Sequence, residues 1–144
     1  MIIISPYARP MPGMEDKENP KNYPYWKELI ELIKEPIIQI GVEGEKQLVP
    51  DFRKNLSFTE LGDLVKQCRT WISVDSFFQH FCWDLNKPGI VIFSQSDPNI
   101  FGHTENINIL KDRKYLRDKQ FWLWTQCEYN IDAYVKPEEI IKHL

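Results

Sequence analysis

Asp75 and Ser76 stand where the apolar run Trp71 to Val74 gives way to an amphipathic segment from Ser76 to Leu85. Either side chain suits a helix N-cap. A helix start also offers free N–H groups and the positive end of its dipole, which together bind phosphate. A plain cap without a ligand is the competing reading. His80 follows about one turn into that helix, so it faces the same crevice or packs in the core. Asp97 and His103 flank a loop containing Pro98 and Gly102. An acid–base pair there competes with a turn bearing a solvated histidine, which is preferred here. Glu43 and Glu45 follow Gly41 at a strand end, where a carboxylate suits a ribose hydroxyl, although a solvent-exposed charge pair is the simpler reading. Cys68, Cys82 and Cys127 include no CxxC pair, and no histidine stands where it would complete a metal-ligand pattern with them, which argues against a metal site. Their odd number favours reduced, partly buried thiols and a cytoplasmic setting.

The elements that would position these residues alternate in kind. Short β-branched runs at Ile2–Ser5, Ile37–Ile40, Trp71–Val74, Ile90–Phe93 and Ile107–Leu110 are separated by amphipathic segments, as in a parallel sheet covered by helices. Trp26, Leu29, Ile30 and Ile33 have helical spacing after Pro24, and Pro36 stops that helix. Ser57-Phe58-Thr59-Glu60 is a capping box, and the helix it opens turns Leu61, Leu64, Val65 and Cys68 inward. Pro137 starts a last helix with Ile140, Ile141 and Leu144 on its buried side. Residues 6–20 form a long loop holding four prolines, and long ordered loops often serve function. In an open α/β sheet, ligands bind beyond the carboxyl ends of the strands. That brings Ser5–Lys21, Gly41–Glu45, Val74–His80 and Ser94–His103 to one edge.

The 144 residues suit one domain with one core, and 42% apolar with 13% aromatic residues excludes a disordered chain. A net charge of −3 gives no whole-molecule case for nucleic acid or an anionic membrane. No apolar run approaches the roughly 18 residues of a spanning helix. From Lys111 to Trp124, five cations precede or interleave with Tyr115, Phe121, Trp122 and Trp124. Nucleic-acid binding by charge and stacking is one reading, but burial against the sheet or against a protein partner is preferred.

The order of these pieces resembles the C-terminal, nucleotide-sugar-binding half of glycosyltransferase family 9, the heptosyltransferases of GT-B fold. Lys21-Asn22-Tyr23-Pro24 is similar to that family's Lys-x-Trp-Pro-like motif, and Leu56 to Leu61 to its capped helix. Asp75-Ser76-Phe77-Phe78-Gln79-His80 matches an Asp-Ser-Gly-Pro-x-His signature, followed by Asn86-Lys87-Pro88, the Ile90–Phe93 strand and Ser96-Asp97-Pro98. The tail, with Cys127 and Val135 to Ile140, resembles the family's ending. The signature's Gly-Pro is replaced by Phe77-Phe78, rings that pack in the core or line a pocket; packing is preferred.

The resemblance implies a single three-layer, Rossmann-like α/β domain over residues 1–144, with 111–144 as an extension lying on the domain or a partner. It implies that Lys21 contacts a donor phosphate, that Ser5 lies near the phosphates, that Asp75 contacts the sugar and that Ser76 holds the pyrophosphate. His80 and Asp97 complete the candidate ligand-binding set. The donor is the substrate, no metal or other cofactor is expected, and cations with N–H donors stabilise the leaving group. Because the resemblance covers a donor half only, acceptor binding and a catalytic base are expected from a second subunit. The alternatives are a non-catalytic assembly module that kept the fold and a nucleotide-sequestering protein.

Overall fold

Three consecutive isoleucines, Ile2, Ile3 and Ile4, are all fully buried, which an extended chain achieves only when both faces of its sheet are covered. The computed structural model, which describes Met1–Leu144, shows how. Six strands form one sheet: β1 (Ile2–Ser5), β2 (Ile37–Gly41), β3 (Phe52–Lys54), β4 (Thr70–Val74), β5 (Ile90–Ile92) and β6 (Ile107–Ile109). Their order is β3-β2-β1-β4-β5-β6, and every neighbouring pair is parallel. Five helices accompany them: α1 (Trp26–Leu32), α2 (Phe58–Gln67), α3 (Phe77–Asp84), α4 (Pro98–Phe101) and α5 (Pro137–Ile141).

Side chains alternate across a strand, and the two cores follow that alternation. Ile2 and Ile4 of β1, Ile72 and Val74 of β4, and Ile90 and Ile92 of β5 pack with Trp26 and Leu29 of α1 and Ile140 of α5. Ile3, Trp71 and Val91 point the other way, towards Leu61, Leu64 and Val65 of α2 and Phe78 and Cys82 of α3. The result is a three-layer α/β domain. Full burial of each such aliphatic side chain stabilises by about 1.5–3 kcal/mol, before the entropy of ordering the chain is set against it.

The differences from sequence expectation are local. α1 begins at Trp26, so Pro24 precedes the N-cap Tyr25 and does not sit in the first turn. β3 has no apolar run to announce it; it is an exposed edge strand carrying Arg53 and Lys54, and charge on an edge discourages further pairing. Asp97-Pro98, expected as a loop, opens the short helix α4. Asp97 Oδ1 accepts from Asn99 N at 2.9 Å, and Pro98 occupies the first turn, a cap-and-proline signal that was present in the sequence. The capping box at Ser57 and Glu60 is formed as expected.

After β6 the chain has only three 3₁₀ turns before α5, yet its end is firmly held. Tyr23 Oη donates to Val135 O at 3.0 Å, and Tyr129 Oη to Asn22 O at 2.9 Å. Tyr134, 1% exposed, donates to Pro20 O. The tail thus fastens the loop that follows β1. No helix is long and apolar enough to cross a membrane.

Candidate functional site

Because all strands run in parallel, their carboxyl ends lie along one edge. The strand order reverses between β1 and β4, which leaves a crevice there. A cavity of about 660 Å³ opens at this point. β1 contributes Ser5, the following loop Tyr7, Arg9 and Lys21, β2 and its turn Ile40 to Val42 and Glu45, and the end of β3 Arg53 and Asn55. Asp75 to Phe78 come from the end of β4 and the start of α3, and Trp124 reaches in from the C-terminal segment.

Asp75 is the polar centre of the site. It is buried, and its carboxylate accepts from three groups: Lys21 Nζ at 3.0 Å, Gln79 Nε2 at 2.6 Å and Ser96 Oγ at 2.8 Å. Ser76 is the N-cap of α3, with its Oγ accepting from Phe78 N at 3.4 Å; Asp75, the other candidate cap, faces this network. A helix cannot satisfy its first N–H groups internally, so the start of α3 presents donors beside the cavity. Lys21 is held from both sides of its own peptide. Its N–H donates to Asn19 Oδ1 at 2.9 Å, and Pro20 O accepts from both Ser94 Oγ, at 3.2 Å, and Tyr134 Oη.

Aromatic rings form the far wall. The two phenylalanines that replace Gly-Pro have separate fates. Phe78 is buried, edge-on to Trp71 at 5.4 Å, while Phe77 is exposed and lines the cavity with Phe58. The rings of Phe58, Phe77 and Phe81 are mutually 5.7–5.8 Å apart. Trp124 meets two cations, with Lys21 Nζ 4.8 Å and the Arg117 guanidinium 4.2 Å from its ring centre, a half-buried cation–π arrangement. Burial raises the Tyr7 hydroxyl to about 12, with Glu18 and Glu45 adding to the effect. Burial also raises the Glu45 carboxyl, against the Val42 N–H that favours its charged form.

Of the residues singled out from sequence, Ser5, Lys21, Asp75 and Ser76 meet at this cavity. His80 and Asp97 lie outside its lining. His80 Nδ1 is 2.8 Å from His103 Nε2, and the His103 ring stacks on Trp83 at 4.6 Å, so His103 is no isolated turn histidine. Asp97 is buried and takes both Arg113 nitrogens, at 3.0 and 2.7 Å, which holds its carboxyl below the usual range. The expected Glu43–Glu45 surface pair is divided: Glu43 binds Lys54 at 3.1 Å in solvent, while Glu45 is half-buried at the cavity. Of the two burials expected for the C-terminal aromatics, that against the sheet does not hold for Phe121 and Trp122, which are exposed. Trp124 and Gln79 are the site residues that sequence reading missed. Gln79, four residues after Asp75, carried a usable signal in its helical spacing; Trp124 carried none, because no regular element links it to the strands.

Sheet order and site together define a Rossmann-like α/β domain of the GT-B type, with its cavity at the reversal of strand order. The chain belongs to glycosyltransferase family 9 (heptosyltransferase), whose sequence profile matches residues 3–121. Searches of curated proteins and of solved structures each gave no significant match.

Proposed function

We propose that this domain binds a nucleotide-sugar donor, in the manner of the C-terminal half of a GT-B glycosyltransferase, and that a second domain or subunit brings the acceptor and the catalytic base. The observation that carries this reading is the pairing of Lys21 with the start of α3 across one cavity. A diphosphate there meets an ammonium group and helix N–H donors together, while the aromatic wall of Phe58 and Phe77 offers a face to the base. Asp75 holds Lys21 at 3.0 Å, so the cation is already in position, and a phosphate competes for it.

Thermal stability against a panel of nucleotides and nucleotide sugars tests this. A donor at about 100 times its dissociation constant stabilises by roughly 2.7 kcal/mol. Lys21→Met is the informative control, since Asp75 keeps Gln79 and Ser96 as donors. Asp75→Ala strands three donors, the half-buried Lys21 ammonium among them, at a cost of roughly 3 kcal/mol, and confuses stability with binding. The expected result is a shift with one donor class that Lys21→Met removes. No shift with any ligand overturns the proposal.

One observation favours a narrower reading, in which this chain binds donor without itself transferring sugar. Both carboxylates that line the cavity are engaged, Asp75 by three donors and Glu45 by the Val42 N–H. A general base then comes from elsewhere. Stabilisation by a donor, with turnover only when an acceptor-binding half is added, supports that reading; turnover by the chain alone excludes it.

A further inference from the structure

The segment Lys111–Trp124 contains five cations and two carboxylates in a chain whose net charge is −3. Arg113 is neutralised by Asp97. Lys111, Lys114, Arg117 and Lys119 take part in none of the molecule's salt bridges. Immediately beyond them, Phe121, Trp122 and Leu123 are 83%, 51% and 65% exposed, three successive apolar side chains splayed from one turn. The turn is braced from behind. Trp122 N donates to Lys119 O at 3.1 Å, and Gln120 Nε2 donates to Gln95 O at 2.9 Å and Arg117 O at 2.8 Å. Gln120 Oε1 accepts from Asp97 N at 2.8 Å. Phe121 also touches Phe101 of α4, ring centres 5.5 Å apart.

We infer that the Phe121-Trp122-Leu123 turn is a docking tip for an anionic phospholipid surface. An apolar tip rimmed by lysine and arginine is the composition that seats a protein in a bilayer interface, with Trp at headgroup depth and Phe and Leu below it. A cleft of about 380 Å³ behind the tip is lined by Gln95, Arg117, Lys119, Trp122, Gln126, Cys127 and Glu128. Arg117, one of that lining, donates through Nε to Lys119 O at 2.9 Å, which holds its guanidinium beside the tip. Charge complementarity favours lipid over a protein partner. So does size: a stable protein interface needs about 800 Å² from each side, whereas interfacial insertion needs only a tip. Trp124 follows directly and lines the cavity, so a docked tip sets the cavity beside the membrane.

The test is cosedimentation of the whole chain with phosphatidylcholine vesicles, with and without phosphatidylglycerol. Binding is expected only with the anionic lipid, weakening as salt rises. Phe121→Ser with Leu123→Ser is expected to lower vesicle affinity roughly tenfold or more at unchanged melting temperature. Lys114→Gln and Lys119→Gln, which leave the apolar tip whole, are expected to lower it about fivefold per charge; they serve alone if the tip variant fails to fold. Absence of wild-type binding overturns the inference, as does binding that survives the tip or charge substitutions. Self-association without lipid that the tip substitutions abolish also overturns it, and assigns the patch to a second copy of the chain.

Discussion

At the residue scale, the histidine pair shows how one contact sets a pH response. His80 lies below its ordinary value of 6.5, first because partial burial of its ring withholds water from the charged form and next because His103 repels that charge; Asp75 pulls the other way. The unfolded chain therefore binds more protons than the folded one around and below that value. Stability is full above the unfolded pKa, falls as pH drops through about 6.5, and levels off below the folded pKa. His80→Gln is expected to flatten this decline, measured as urea-unfolding free energy at several pH values on either side of 6.5. An equally steep decline in the variant would refute the assignment to His80. Asp75 shows a different economy of contacts. Its three donors come from the loop after β1, from α3 and from the loop after β5, so one carboxylate fastens three separate stretches around the cavity.

At the element scale, the parallel sheet requires its connections to pass closely over the layers. The clearest case is the turn before β5, where Gly89 lies against the buried indole of Trp71. A Cβ at Gly89 would meet Trp71 Cε2 at 2.2 Å. The indole cannot move aside, because its Nε1 donates to Lys87 O at 2.9 Å and its ring packs edge-on against Phe78. Gly89→Ala is expected to lose about 2–3 kcal/mol by overpacking, as a lowered urea midpoint with unchanged slope; a change within 0.5 kcal/mol, the ordinary range for a surface site, would show that the turn yields. The strain bears on function, since this turn sets the start of β5 and hence the loop that brings Ser96 to Asp75.

At the scale of the whole molecule, the chain's two ends cooperate in one site. The tail packs α5 against α1 and supplies Tyr134, whose hydroxyl reaches Pro20 O, one residue before Lys21. Tyr134→Phe keeps the ring and removes that hydrogen bond, while Ser94 still serves the same carbonyl. The expected cost is about 1 kcal/mol, with weaker donor binding because Lys21 loses a constraint. Thermal shifts with and without ligand separate the two effects. Affinity unchanged at lowered stability would confine Tyr134 to the core. A similar division marks the C-terminal segment, where Arg113 and Gln120 anchor to the body through Asp97 while Phe121 to Leu123 project from it.

Much of the frame was legible in the sequence because local rules sufficed. Continuous isoleucines called for a doubly covered strand, Ser57 and Glu60 for a capped helix, and the strand-to-helix step at Val74–Ser76 for a crevice residue. β3 was hidden because a three-residue charged edge strand has no apolar run, and α4 left only its Asp97-Pro98 start signal, since a four-residue helix shows almost no period. The sequence by itself determined the alternation of strands and helices, and with it a parallel sheet whose carboxyl ends share an edge. Only the tertiary structure decided that Asp75 faces Lys21 and does not cap α3. Likewise, Phe77 and Phe78 part to opposite environments, His80 meets His103, and Trp124 enters the cavity. Each of these rests on contacts between residues distant in the chain or on the rotation of a helix about its axis. Hydrophobic periodicity constrains that rotation on the buried face, but leaves the polar partners to be chosen by packing.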